Sequence, residues 1–234
     1  TAPPAGLQAQ LAAVAGKAVF FGHQSVGSNI LAGIEALEAT VSGGAEPAIV
    51  PTRSAAAMGV GILAENGIGQ NLYPVGKIED FVAVLNGGAG AVVDVALMKF
   101  CFLDFFDSAP YWPGGGTPAT LFATYQSAMA GLRAAHPGLV IVHVTAPLYQ
   151  SPTGNETNVR REAYNDLLRA AYAGREPIFD LALVESTHAD GTRARDGNGT
   201  PTLADEYTYD GGHLNDVGKE RAARALLQVL AAIP

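Results

Sequence analysis

The chain has 234 residues, 48% of them hydrophobic and 15% charged, with a net charge of −8. These values fit a globular fold with a sizeable core, either one large α/β domain or two small ones. The acidic balance argues against nucleic acid, whose phosphates call for Lys and Arg, and no apolar run reaches the roughly 18 residues of a membrane span.

The first residues, Thr1-Ala2-Pro3-Pro4-Ala5, read like the mature start left by signal-peptide removal, although a trimmed chain would begin in the same way. The expectation is an exported protein, periplasmic or secreted. Strand-like and helix-like segments then alternate from end to end without an internal repeat. That pattern predicts a single α/β domain over 1–234 with a parallel sheet. The first strand is expected over Lys17 to Phe21, followed by a helix from Ser25 to Leu37 with Ile30, Leu31, Ile34 and Leu37 at helical spacing. A second strand covers Ala48 to Val50, and Pro51 to Pro74 reads as irregular. A helix from Val75 to Leu85 leads into Ala91 to Phe100, a nearly unbroken apolar run that suits a central strand buried on both faces. Further elements are a helix over Pro118 to Ala135, a strand over Leu139 to Val144, a helix over Asn158 to Ala173, a strand over Ile178 to Leu183, and a last helix over Asp216 to Ala232. Two long loops, Asp104 to Thr117 and Ser186 to Thr208, follow strands. They therefore fall at the carboxyl edge of the sheet, where open α/β sheets bind ligands.

The residues able to do chemistry are few. Cys101 is the only cysteine, so no intrachain disulfide forms, and with no base beside it in sequence it reads as a small apolar core residue. No His or Cys spacing suggests a metal site. Ser25 stands where a strand turns into a helix, so free backbone N–H groups and the positive end of the helix dipole favour negative charge there. Its own N–H could donate to an oxyanion. A serine at such a place is also a common helix N-cap. Near the other end, Asp210-Gly211-Gly212-His213 puts an Asp three residues ahead of a His. The Asp can hold one imidazole nitrogen and leave the other free as a base, so Ser25, His213 and Asp210 together suggest a Ser-His-Asp hydrolase. The competing reading of the same run is a plain surface turn before a helix.

The blocks Val19-Phe20-Phe21-Gly22-His23-Gln24-Ser25 and Asp210-Gly211-Gly212-His213-Leu214-Asn215, with the helix Asn158 to Leu168 between them, resemble the SGNH, or GDSL-type, hydrolase superfamily. The resemblance implies a three-layer α/β/α domain with a mainly parallel, flavodoxin-like sheet. It also implies that Ser25 is the nucleophile, that His213 and Asp210 complete the triad, and that no cofactor or metal is needed. The oxyanion-hole glycine of that family falls in Asn66-Gly67-Ile68-Gly69-Gln70-Asn71, with Gly69 its first counterpart and Asn71 close by. Two departures are plain. Gly-Asp-Ser is replaced by His23-Gln24-Ser25, and the Gly-x-Asn-Asp block after the central strand is replaced by Lys99-Phe100-Cys101-Phe102-Leu103-Asp104, which has no Asn. Either Lys99 or Asn71 could serve as the third donor, or the hole has two donors. Lys99 could equally snorkel, or pair with Asp104 or Asp94.

Phe102, Phe105, Phe106, Tyr111 and Trp112 form either a substrate wall or the small core of their own loop, with Trp112 the expected exposed platform. His23 is expected to line the substrate site. The function expected is a serine esterase acting on short acyl esters, chiefly acetyl, of small molecules or carbohydrates. Acyl transfer by the same residues, or an inactive carbohydrate-binding domain, are the alternatives.

Overall fold

The computed structural model describes residues 6–41, 43–150 and 156–234. The N-terminal run on which the expectation of export rests lies outside the described residues. The sheet is built from β1 (Val19–His23), β2 (Ala48–Pro51), β3 (Ile62–Gly67), β4 (Val95–Met98), β5 (Val140–Val144) and β6 (Ile178–Phe179). All are parallel, in the order β2-β3-β1-β4-β5-β6. Without β2 this is the flavodoxin-like order 2-1-3-4-5, with β2 added as an outer edge. The helices are α1 (Leu7–Ala15), α2 (Ser25–Glu38), α3 (Pro74–Asn86), α4 (Pro118–Ala135), α5 (Glu156–Tyr172), α6 (Leu181–Glu185) and α7 (Asp216–Ala231).

The strands feed two cores because successive side chains point to opposite faces. Val19, Phe21, Leu63, Val95, Leu97, Val142 and Val144 pack with α1, α2, α6 and α7. Phe20, Ala64, Ala96, Met98 and Ile141 pack with α3, α4 and α5. The result is the expected three-layer α/β/α arrangement. Two glycines set the spacing of the first layer. A Cβ on Gly33 of α2 would lie 2.4 Å from the Lys219 carbonyl of α7, and one on Gly218 would lie 2.4 Å from the Tyr207 carbonyl. α2 and α7 can meet this closely only with hydrogen at Gly33, and Gly218 does the same for α7 against the turn at Tyr207.

The structure departs from the sequence reading in three ways. β3 falls inside the stretch read as irregular, because Glu65, Asn66 and the flanking glycines Gly61 and Gly67 interrupt its apolar pattern. β1 runs two residues further than expected, so His23 is a strand residue. The run from Ile178 is a strand of only two residues, followed by α6, which the Asp180 side chain caps by accepting from the Leu183 N–H at 3.1 Å.

His143 on β5 is a satisfied core histidine. Its Nε2–H donates to Glu176 at 3.0 Å, its Nδ1 accepts from the Tyr125 hydroxyl at 2.8 Å, and its ring stacks on Tyr172 at 3.5 Å. Burial outweighs the Glu176 charge and brings its pKa down to about 4. The unfolded chain therefore takes up a proton near pH 6.5 while the folded chain stays neutral until about pH 4. Stability is lost as pH falls through that window, by on the order of 3 kcal/mol at about 1.36 kcal/mol per pKa unit. Urea unfolding of the wild type and His143→Gln at pH 7 and pH 4 should show a smaller acid loss in the variant.

Candidate active site

The turn from β1 into α2 is held by Gln24. This residue is the extended N-cap of α2, with φ −134° and ψ −164°, and its carbonyl accepts from the Gly27 N–H at 2.7 Å and the Ser28 N–H at 3.4 Å. Its side-chain Nε2 donates across to the carbonyls of Ile68 at 2.8 Å and Gly69 at 3.0 Å, just beyond β3. Ser25 is thus the first residue inside the helix, not its cap. Its N–H belongs to the first turn, where no preceding helical carbonyl exists to accept it.

The second half of the site comes from the loop before α7. Thr208 and Leu214 form an antiparallel bridge, and the Thr208 hydroxyl donates to the His213 carbonyl at 2.7 Å. The Asn215 side chain caps α7 by accepting from the Gly218 N–H at 3.1 Å. Within this closed loop, Asp210 Oδ1 accepts from the N–H groups of His213 at 2.7 Å and Gly212 at 3.0 Å, while Oδ2 lies 2.6 Å from His213 Nδ1. A carboxylate only accepts, so Nδ1 carries the proton and Nε2 presents its lone pair. Nε2 lies 2.9 Å from Ser25 Oγ. Burial pushes the Asp210 carboxyl up, but the His213 N–H, the imidazole and the Gly212 N–H outweigh it, so its pKa is lowered and the carboxylate is favoured. Gly211 has φ +89°, the left-handed region that glycine tolerates, and a Cβ on Gly212 would meet the Phe102 ring at 2.5 Å.

Structure brings Ser25, His213 and Asp210 together and separates the other expected site residues from that role. Gly69, at φ +51°, donates its N–H to Asp80 at 2.7 Å, and Asp80 in turn is held by Arg53, so this amide is already committed. Asn71 Oδ1 accepts from Lys77 at 2.9 Å, which leaves its amide nitrogen as the free end. Lys99 is wholly buried and its ammonium donates to the Phe100 carbonyl at 2.8 Å. It therefore neither snorkels nor pairs with the expected acids. Asp104 pairs with Lys77, and Asp94 accepts from the Ala18 N–H at 2.8 Å. Trp112 is buried, donates its indole N–H to the Asp104 carbonyl at 2.7 Å and is covered by the Arg160 guanidinium at 4.6 Å, so it offers no exposed platform. His23 is buried with both ring nitrogens engaged and does not line an open site. Cys101 is buried, as a core residue should be.

Two aromatic rings contact the histidine. Phe102 meets the His213 ring edge-on at 5.4 Å, and Tyr209, which is 66% exposed, stacks on it at 6.0 Å. The only sequence signal for Tyr209 is its place next to Asp210. Phe102, expected as part of a substrate wall or a loop core, reaches the histidine from the turn after β4.

Beneath the site lies a group of buried charges. Lys77 and Asp104 form an ion pair of 2.6 Å with both side chains fully covered. Asp104 also accepts from the Cys101 N–H at 2.7 Å and the Leu72 N–H at 2.8 Å. Leu72 is the one non-glycine at positive φ, 74°, among the described residues. The carboxylate thus pins both loops that flank Ser25, the one after β3 and the one after β4. Burial drives Lys99 down to about 8 and Glu185 up to about 8, moving each towards its neutral form. No group of His, Cys, Asp and Glu among the described residues is arranged to hold a metal ion.

The fold is that of the SGNH/GDSL hydrolases, as solved structures show. A member of the lipolytic G-D-S-L family from Veillonella parvula matches with a TM-score of 0.53 at 14% identity, covering 92% of this chain and 98% of its own. The acetyl xylan esterase AlAXEase matches with a TM-score of 0.51 at 16% identity, covering 89% and 96%. A lipase from a goat rumen metagenome matches with a TM-score of 0.53 at 13% identity, covering 89% and 94%. No protein-family profile and no curated protein sequence matches the chain.

Asp104→Asn tests the underpinning. It leaves Lys77 buried without a counter-charge, which costs about 3–5 kcal/mol when one partner of such a pair is removed. Chemical denaturation should show that loss, and proteolysis should cut first in the 68–73 loop.

Proposed function

We propose that the protein is a serine esterase that hydrolyses short acyl esters, with acetyl groups on carbohydrate as the favoured class. One observation carries the reading: Ser25 Oγ lies 2.9 Å from Nε2 of a histidine whose Nδ1 is held by a carboxylate. Ser25 Oγ attacks the ester carbonyl as His213 Nε2 takes its proton. The resulting oxyanion is held by the Ser25 N–H, with the Asn71 amide as the second donor. The tetrahedral species collapses, and His213 gives the proton to the departing alcohol. Water then attacks the acyl-serine, with His213 again as base, and the acid is released. The site needs no cofactor for these steps. The acetyl preference is supported by the likeness to an acetyl xylan esterase, and the carbohydrate preference also by the exposed Tyr209 ring beside His213, a face suited to stacking on a sugar.

A fluorophosphonate probe should label the wild type and fail on Ser25→Ala; labelling of the variant would remove Ser25 as nucleophile. Acetyl-ester turnover should drop by roughly four orders of magnitude in His213→Ala. Asp210→Asn should come close to that loss. The two backbone N–H groups on Oδ1 would hold the Asn carbonyl oxygen, turn its NH2 towards His213 Nδ1 and force the proton onto Nε2. Asn71→Ala should lower kcat by about a hundredfold if its amide is an oxyanion donor, and an unchanged kcat would remove it from the hole.

A further inference from the structure

His23 and Glu65 form a second histidine–carboxylate pair, behind the serine instead of in front of it. The ring is 3% exposed and leans on Phe21 at 4.8 Å. On its other side sits Gly27, where a Cβ would lie 2.2–2.5 Å from ring and Cβ atoms of His23. Gly27 is therefore the seat of the imidazole in the first turn of α2. His23 Nδ1 is 2.9 Å from the Gln24 carbonyl, and Nε2 is 2.9 Å from Glu65 Oε2.

The proton positions follow from these partners. A carbonyl only accepts, so Nδ1 carries a hydrogen. The contact at Nε2 then needs one more proton, held by the ring or by Glu65, since two lone pairs would otherwise face each other. In both arrangements the Nδ1–H stays on the Gln24 carbonyl.

That carbonyl belongs to the peptide whose N–H is Ser25. In a trans peptide the C=O and the following N–H point in opposite directions across a rigid plane. The Gly27 and Ser28 N–H groups already hold the carbonyl along the helix axis. The imidazole adds a donor from outside the helix, which fixes the rotation of the plane and polarises the amide. We propose that His23 is a positioning residue whose Nδ1–H bond to the Gln24 carbonyl aims and strengthens the Ser25 N–H as the oxyanion donor. This rests on the esterase reading of Ser25.

Two substitutions separate the ring's two bonds. In His23→Asn the side-chain amide reaches the place of Nδ1 and keeps the bond to Gln24 but loses Glu65. In His23→Gln the amide reaches the place of Nε2 and keeps Glu65 but loses Gln24. Backbone NMR of the Ser25 amide, thermal unfolding, and kcat and KM on p-nitrophenyl acetate would be measured for both. His23→Asn should leave the Ser25 amide proton near its wild-type shift and kcat within about fivefold. His23→Gln should move that proton upfield and lower kcat by about 10–100-fold with KM within about twofold, the scale of a weakened oxyanion donor. Equal behaviour of the two variants, a loss carried by KM, or an amide shift without a change in kcat would overturn the proposal. Should a variant not fold, the wild type decides through its ring nitrogens, and an unprotonated His23 Nδ1 would end the idea. Retained turnover in Ser25→Ala would instead remove Ser25 as the nucleophile, while the Ser25 amide shift in the His23 variants would still report whether His23 orients the peptide.

Discussion

The contact of α2 with α7 is the constraint on which the site depends. Ser25 begins one helix and His213 stands just before the other, 188 positions apart in the chain. Their distance is set by how closely the two helices lie, and Gly33 against the Lys219 carbonyl allows an approach that any side chain would prevent. The Leu214 N–H adds a direct tie by donating to the Asn29 side chain at 3.1 Å. Buried Ile30, Ile34 and Leu37 on α2 and Ala222, Ala223, Leu226 and Leu230 on α7 belong to one core, so the apolar driving force that assembles the layer also holds serine and histidine in register.

A second set of restraints works from below. The loops after β3 and β4 are polar or kinked where they pass Ser25, and neither has a regular ladder to hold it. Asp104 substitutes for one by accepting from Leu72 on the first loop and from Cys101 on its own. The Lys77 ammonium is this carboxylate's buried counter-charge, and it reaches Asn71 as well. A buried ion pair adds little net stability against well-packed apolar groups. Its worth here is directional, since it can hold a leucine at positive φ and an asparagine by its side-chain oxygen.

What could be read from the chain follows from the range of each interaction. The strand-to-helix turn at Ser25 and the Asp-x-x-His run are local patterns, and each places its residue within a few positions of a helix start. The apolar runs of β4 and β5 are similarly local. β3 is hidden because Glu65 and Asn66 serve long-range partners, His23 and Arg53, at the cost of a clean strand pattern. Gly69 as an oxyanion donor fails for the same reason: Asp80 claims its amide from eleven residues along the chain. Trp112 looks like a platform because aromatics in long loops often are. Its indole N–H finds a carbonyl inside the loop, and nothing in the spacing announces that.

The outer strands have their own consequence. β2 has four residues and ends at Pro51, which cannot donate a ladder hydrogen bond, and β6 has two. A parallel sheet with long open margins would be a template for pairing with another chain. Here the margins are short and one is closed by proline, so the molecule offers little for a foreign strand to extend. The strand that displaces β3 from the edge thus shields the interior of the sheet, and with it the end of β3 whose Glu65 holds His23, from intermolecular strand addition.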